Sequence, residues 1–121
     1  MMIEVVNLRE KLEQIEKHWS PRIVADVAEM HVKLVKFQGD FLWHHHENED
    51  EMFLVVRGEF TMRLRERDLV VREGEFVVIP RGVEHMPVAE REAHVLLFEP
   101  KATLNTGNVR SERTIPAPAR I

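Results

Sequence analysis

From Arg22 to Glu99 the chain is a succession of short runs rich in Val, Ile, Leu and Phe, broken by Gly, Pro or pairs of charges. Several runs alternate apolar and polar positions, the period of a strand that buries one face. The expected strands are Arg22–Glu29, Met30–Gln38, Phe41–His46, Glu51–Arg57, Glu59–Glu66, Asp68–Arg72, Glu75–Pro80, His85–Val88 and Ala93–Glu99. Many short strands at this spacing predict an antiparallel sandwich or barrel rather than a parallel sheet with crossover helices. Ahead of them Leu8, Leu12, Ile15 and Trp19 recur at helical spacing. One amphipathic helix is therefore expected over Asn7–His18, with Asn7 as its N-cap and Ser20-Pro21 ending it. After Pro100 the periodicity is lost, and the stretch runs to Pro116-Ala117-Pro118. The expected organisation is an all-β fold with a helical segment over 1–20, a β-barrel over 21–100 and an extended C-terminal arm over 101–121.

The 121 residues are 44% hydrophobic, enough for one core. The net charge of −4 argues against a nucleic-acid partner, which would need a concentrated excess of Lys and Arg. There is no cysteine, so disulfides, thiolate metal sites and thiol nucleophiles are all excluded. No apolar run approaches the length of a membrane helix, and Glu4, Arg9 and Glu10 interrupt the first ten residues, unlike a secretory signal. A soluble, cytoplasmic protein is expected.

The histidines change the picture. His44 and His46 stand two apart, so on a strand both project from one face while His45 points the other way. Glu51 follows at the start of the next strand, and two imidazoles with a carboxylate are a ligand set for a divalent transition metal. A fourth ligand must come from elsewhere. The candidate is His85, which the turn Pro80-Arg81-Gly82 returns to the start of a new strand. The alternatives are a solvated His44–His46 turn without a metal role, and a barrel that keeps these residues but holds no metal. His31 and His94 fit half-buried strand positions, and His18 fits a charge at a helix end.

These residues carry a resemblance to the cupin superfamily. Its first motif, G-x5-H-x-H-x3–4-E-x6-G, is matched by His44, His46, Glu51 and Gly58, with Gly39 one position closer to His44 than the pattern has it. Its second, G-x5-P-x-G-x2-H-x3-N, is matched by Gly74, Pro80, Gly82 and His85, with Ala89 in place of the terminal Asn. The chain is similar to small single-domain cupins of the cupin-2 type, often described as mannose-6-phosphate isomerase-like. The resemblance implies a double-stranded β-helix, or jelly-roll barrel, with a short N-terminal α-helix. It also implies one divalent metal ion (Fe, Mn, Ni, Co or Zn) held by His44, His46, Glu51 and His85, and a homodimer.

Strand parity supplies a pocket lining. With Glu51 inward, Phe53 and Val55 face the same way, and on the next strand Phe60, Met62 and Leu64 oppose Thr61, Arg63 and Arg65. Beyond these, either Phe76 and Val78 or Val77 and Ile79 continue the inner face. Phe53, Phe60 and Met62 are expected to shape a largely apolar pocket. There is no Ser-His-Asp order and no phosphate-binding loop, so no catalytic residue is assigned apart from the metal set. Three functions remain open. The first is a metal-dependent enzyme of dioxygenase or isomerase type acting on a small oxygen-rich molecule, such as an enediol or keto acid. The second is a ligand-binding or sensing barrel without turnover, and the third is a structural domain of a larger assembly.

Overall fold

The computed structural model describes residues 2–121. It contains one helix, α1 (Leu8–Leu12), and seven strands: β1 (Arg22–Val27), β2 (Met30–Asp40), β3 (Glu51–Arg57), β4 (Glu59–Leu64), β5 (Asp68–Arg72), β6 (Phe76–Ile79) and β7 (His85–Pro100). Every ladder is antiparallel, and the strand order is β1-β2-β7-β3-β6, with β4 joining β7 and β5 pairing only with β4. The all-β jelly-roll expectation holds, short N-terminal helix included.

Two expected strands, His85–Val88 and Ala93–Glu99, are one. β7 runs through the exposed charges Glu90-Arg91-Glu92 without a break, pairing first with β4 (Leu64↔His85 to Thr61↔Val88) and then with β3 (Arg57↔His94 to Met52↔Phe98). On its other side β2 accompanies it, with a register shift between Phe37 and Gly39 that lets both strands bend together. The charges face solvent at this bend, so they mark a change of partner rather than a turn.

The expected strand Phe41–His46 is reduced to a single bridge, His44↔His85. Continuing that ladder would require an N–H from Pro87, which proline lacks. Phe41 N–H still donates to Pro87 O at 3.1 Å, but the return bond cannot form.

The helix is also shorter than expected. Asn7 does cap it, accepting from Glu10 N–H at 3.0 Å, but the chain tightens into turns after Leu12. The reason lies in where its apolar residues go. Leu12 and Ile15 pack on the outer face of the sheet with Leu34, Val24, Val56, Leu96 and Ile121, whereas Trp19 enters the inner core. One straight helix cannot serve both faces. Trp19 sits at φ +60° with its N–H on Lys36 O, and its ring stacks on Phe37 at 4.4 Å and Phe41 at 4.9 Å. His18 therefore lies beyond the helix and pairs with Glu92 at 2.8 Å instead of meeting a helix end.

Inside the barrel, Val35, Phe37, Phe53, Val55, Phe60, Met62, Val71, Ile79, Val95 and Leu97 form one buried cluster. On β6 it is Val77 and Ile79 that face inward, while Phe76 and Val78 are exposed, which decides the parity left open by the sequence. Residues 101–121 are arranged mostly in turns. They return along the molecule so that Arg120 bridges Ile23 and Ile121 N–H reaches Ile23 O.

Candidate metal centre

His44, His46, Glu51 and His85 are all buried, and one donor atom from each lies within 4.8 Å of the others. Three separate pieces of chain deliver them: the segment after β2, the first residue of β3 and the first residue of β7. The backbone bridge sets the spacing, because His44 and His85 exchange N–H···O bonds of 3.1 and 2.9 Å and thereby place their rings side by side.

Two carbonyls orient those rings. His44 Nδ1 lies 2.9 Å from Leu42 O, and His85 Nδ1 lies 2.9 Å from Val83 O. A carbonyl only accepts, so Nδ1 carries the proton in both rings and the Nε2 lone pairs are free. Such support is typical of metal-ligating imidazoles.

What the four residues lack is a partner. His85 Nε2, both ring nitrogens of His46 and Glu51 Oε1 are buried without a hydrogen bond. Glu51 Oε1 stands 3.1 Å from His46 Nε2 and 3.7 Å from His85 Nε2. Orphaned buried polar atoms are costly, and a cation among them would satisfy one donor atom from each residue at once. The protonation states agree with this. Burial, followed by repulsion from His85, lowers the His44 pKa to about 4, so its ring is neutral at pH 7. Burial works to raise Glu51, yet the neighbouring Glu99, His46 and His85 side chains outweigh it and hold the carboxyl well below its ordinary range. A deprotonated Glu51 carboxylate beside the neutral His44 ring is the kind of donor pair a divalent ion needs.

The loop bearing His44–His46 is clamped from two sides. Gly82 N–H donates to His46 O at 2.8 Å, and Arg81 N–H donates to Asp50 Oδ1 at 2.9 Å. From the C-terminal segment, Asn108 N–H donates to His45 O at 3.0 Å while its side chain accepts from His45 N–H at 2.8 Å. The segment approaches so closely that a Cβ on Gly107, at φ +56°, would meet His45 O at 2.2 Å. His45 itself points outward and pairs with Glu47.

Beside the cluster lies a cavity of about 30 Å³, bordered by His44, Glu51 and Glu99 and walled by Trp19, Phe37, Phe41 and Phe53, among others. No Lys or Arg lines it. Of the three residues expected to shape the pocket, Phe53 borders this cavity, while Phe60 and Met62 are fully buried in the core. Arg63 and Arg65 face away and lie over the Trp43 ring. Sequence reasoning passed over a buried ion pair here: Lys33 Nζ sits 2.6 Å from Glu99 Oε2, with side chains 2% and 1% exposed. Strand parity held the signal, since Lys33 shares a face with Val35 and Phe37, and Glu99 with Val95 and Leu97. Burial and the neighbouring Glu51 charge push the Glu99 carboxyl well above its usual range, against the pull of Lys33.

Sheet topology and site together define a cupin. The Cupin domain family matches residues 30–99, more than half of the chain, and the protein belongs to that family. It is similar to a cupin-2 domain containing protein from Shewanella frigidimarina NCIMB 400, at 39% identity and a TM-score of 0.79, over 80% of this chain and 95% of that one. It is also similar to protein NMB1881 from Neisseria meningitidis, at 31% identity and a TM-score of 0.75, over 81% and 100% of the two chains. YdbB of Bacillus subtilis (strain 168) is 27% identical over 85 residues, covering 69% of this chain and 75% of its own. No helix among the described residues is long and apolar enough to cross a membrane.

Proposed function

We propose that His44, His46, Glu51 and His85 bind one divalent ion of the Fe, Mn, Ni, Co or Zn group, and that the protein is a metal-dependent enzyme acting on a small oxygen-rich molecule. The observation that carries this reading is the set of buried, partnerless donor atoms converging from three chain segments. When bound, the ion would supply Lewis acidity or a site for dioxygen, in chemistry of isomerase or oxygenase type. The chain's own part is to hold three imidazoles and one carboxylate in place, and to exclude water with Trp19, Phe37, Phe41 and Phe53. A sugar phosphate fits this cavity poorly, because no cationic side chain lines it. Elemental analysis of protein purified without chelator should find about one equivalent of metal, which His46→Ala removes. Equal metal in the variant would refute the ligand assignment.

The narrow, mostly apolar cavity favours a second reading, a ligand-binding barrel without turnover. Oxygen uptake by the ferrous protein across diketones, catechols and thiols separates the two. The exposed Phe76 and Val78 of the edge strand β6, with Ile3 and Val5, support a homodimer, which light scattering would test.

A further inference from the structure

Two parts of the surface are left uncovered, and each has what the other lacks. The first is the outer face of the sheet at β6. β3 and β6 carry unbroken apolar runs, Met52–Val56 and Phe76–Ile79, where a strand with one solvated face would alternate. The registers align the outward residues across three strands, Phe98 with Met52 and Val78, and Leu96 with Leu54 and Phe76. On the β2 side of this face, α1 and Ile121 cover Leu34 and Leu96. The cover gives out toward β6, where Phe76 is 62% and Val78 47% exposed. Among the described residues β6 pairs with β3 alone, so its other edge is open. None of its four residues is the charge or proline that usually guards such an edge.

The second is Met2–Val6, which lies ahead of α1 in neither helix nor strand. Ile3 is 94% and Val5 98% exposed, so both touch almost nothing of their own protomer. With Glu4 between them, the two share one side of the chain once it is extended. The area shows how much cover is missing. A compact monomer of 14.2 kDa exposes about 6800 Å². This chain exposes 7390 Å², an excess of about 600 Å², where each partner in a standard interface buries about 800 Å².

Charge favours a second copy as the occupant. The six aligned residues, Ile3 and Val5 are all uncharged, so two chains of net charge −4 can join them without setting like charges face to face. The patch presents no group of either sign for a foreign ligand to read, whereas the same chain supplies an apolar segment to match it.

We propose that two copies join by exchange: Met2–Val6 of each lies along the open edge of β6 in the other, adds a strand there, and sets Ile3 and Val5 against Phe76 and Val78. Strand addition of this kind takes its affinity from backbone bonds and its register from alternate side chains. The arrangement rests on the homodimer reading and adds the contact that joins the copies.

Sedimentation velocity and light scattering over a dilution series test it. Wild type should be a dimer. Ile3→Asp/Val5→Asp alters residues that carry none of the protomer's own packing, and should raise the dimer dissociation constant at least ~100-fold with circular dichroism unchanged. Phe76→Asp/Val78→Asp should do the same from the other side. In an equimolar mixture of the two variants, each heterodimer sets one intact segment against one intact β6, so the mixture should dimerise more tightly than either variant alone. A dimer that withstands Ile3→Asp/Val5→Asp, or a mixture no tighter than its components, overturns the exchange and leaves a homodimer of another geometry. A wild type that stays monomeric up to about 100 μM overturns the exchange and the homodimer reading together.

Discussion

Replacing Gly107 by Ala tests whether the C-terminal segment holds the metal loop in place. Two costs arise. An L-residue at φ +56° is strained by roughly 1–2 kcal/mol. The new Cβ would also lie 2.2 Å from His45 O and 3.1 Å from His44 Cδ2, where ordinary contact begins at 3.4 Å. The His45 carbonyl must therefore retreat by about 1 Å, and the Asn108 N–H bond to it is lost, at a further cost of about 1 kcal/mol. Together these give about 2–3 kcal/mol, or roughly 10 °C in Tm for a domain of this length. Because His45 lies between His44 and His46, the displacement reaches both rings, and metal affinity should fall about 10–100-fold. Gly39→Ala is the control: φ there is +80° with nothing within 4 Å of the added Cβ, so it carries strain without a clash. It should lower Tm by about half to two-thirds as much and leave affinity unchanged. Calorimetry and competition with a chromogenic chelator measure the two quantities. Wild-type affinity in Gly107→Ala, or equal Tm losses in the two variants, would refute the reasoning.

The His44 pKa near 4 gives the metal-free protein a pH dependence of known sign. The unfolded chain takes up the His44 proton near pH 6.5 and the folded one only near 4, so stability falls as pH drops between those values, by about 3 kcal/mol from this group. Glu99, with its raised pKa, works in the opposite direction, so the prediction is that urea denaturation shows the His44 component as a difference between wild type and His44→Gln. Parallel pH profiles for the two would contradict it. Glu99→Leu alone strands the Lys33 ammonium in the core and should cost about 3–5 kcal/mol, whereas adding Lys33→Met should restore wild-type stability or exceed it. Denaturant melts in which the double variant is the least stable of the set would disprove this.

The parts of the fold written in period two were legible beforehand. Glu51–Arg57 and Asp68–Arg72 fall where alternation put them, because in each one face is more deeply buried than the other. The four clustered residues were legible from spacing, since a strand start and a Pro-Gly turn fix where His85 must begin. What escaped depends on partners far away in the chain. The merging of two strands into β7 follows from an exchange of β4 for β3 across the bend, which no local pattern records. The loss of Phe41–His46 follows from a proline in the opposite strand. The helix fell short because Ile15 and Trp19 go to opposite faces of the sheet. The course of 101–121 rests on side-chain bonds such as Thr106 to Thr114 and Asn108 to His45, whose residue types are ordinary in any loop.

Strand β7 also decides when, during synthesis, this molecule can exist. The pairs β1·β2, β3·β6 and β4·β5 are joined into one sheet through β7, which leaves the ribosome after all of them. A nascent chain that has not yet released His85–Pro100 is thus three unconnected ribbons with open edges, the kind of species that chaperones shield. Assembly is a late event, and His44, His46 and Glu51 can meet His85 only after translation has passed that strand.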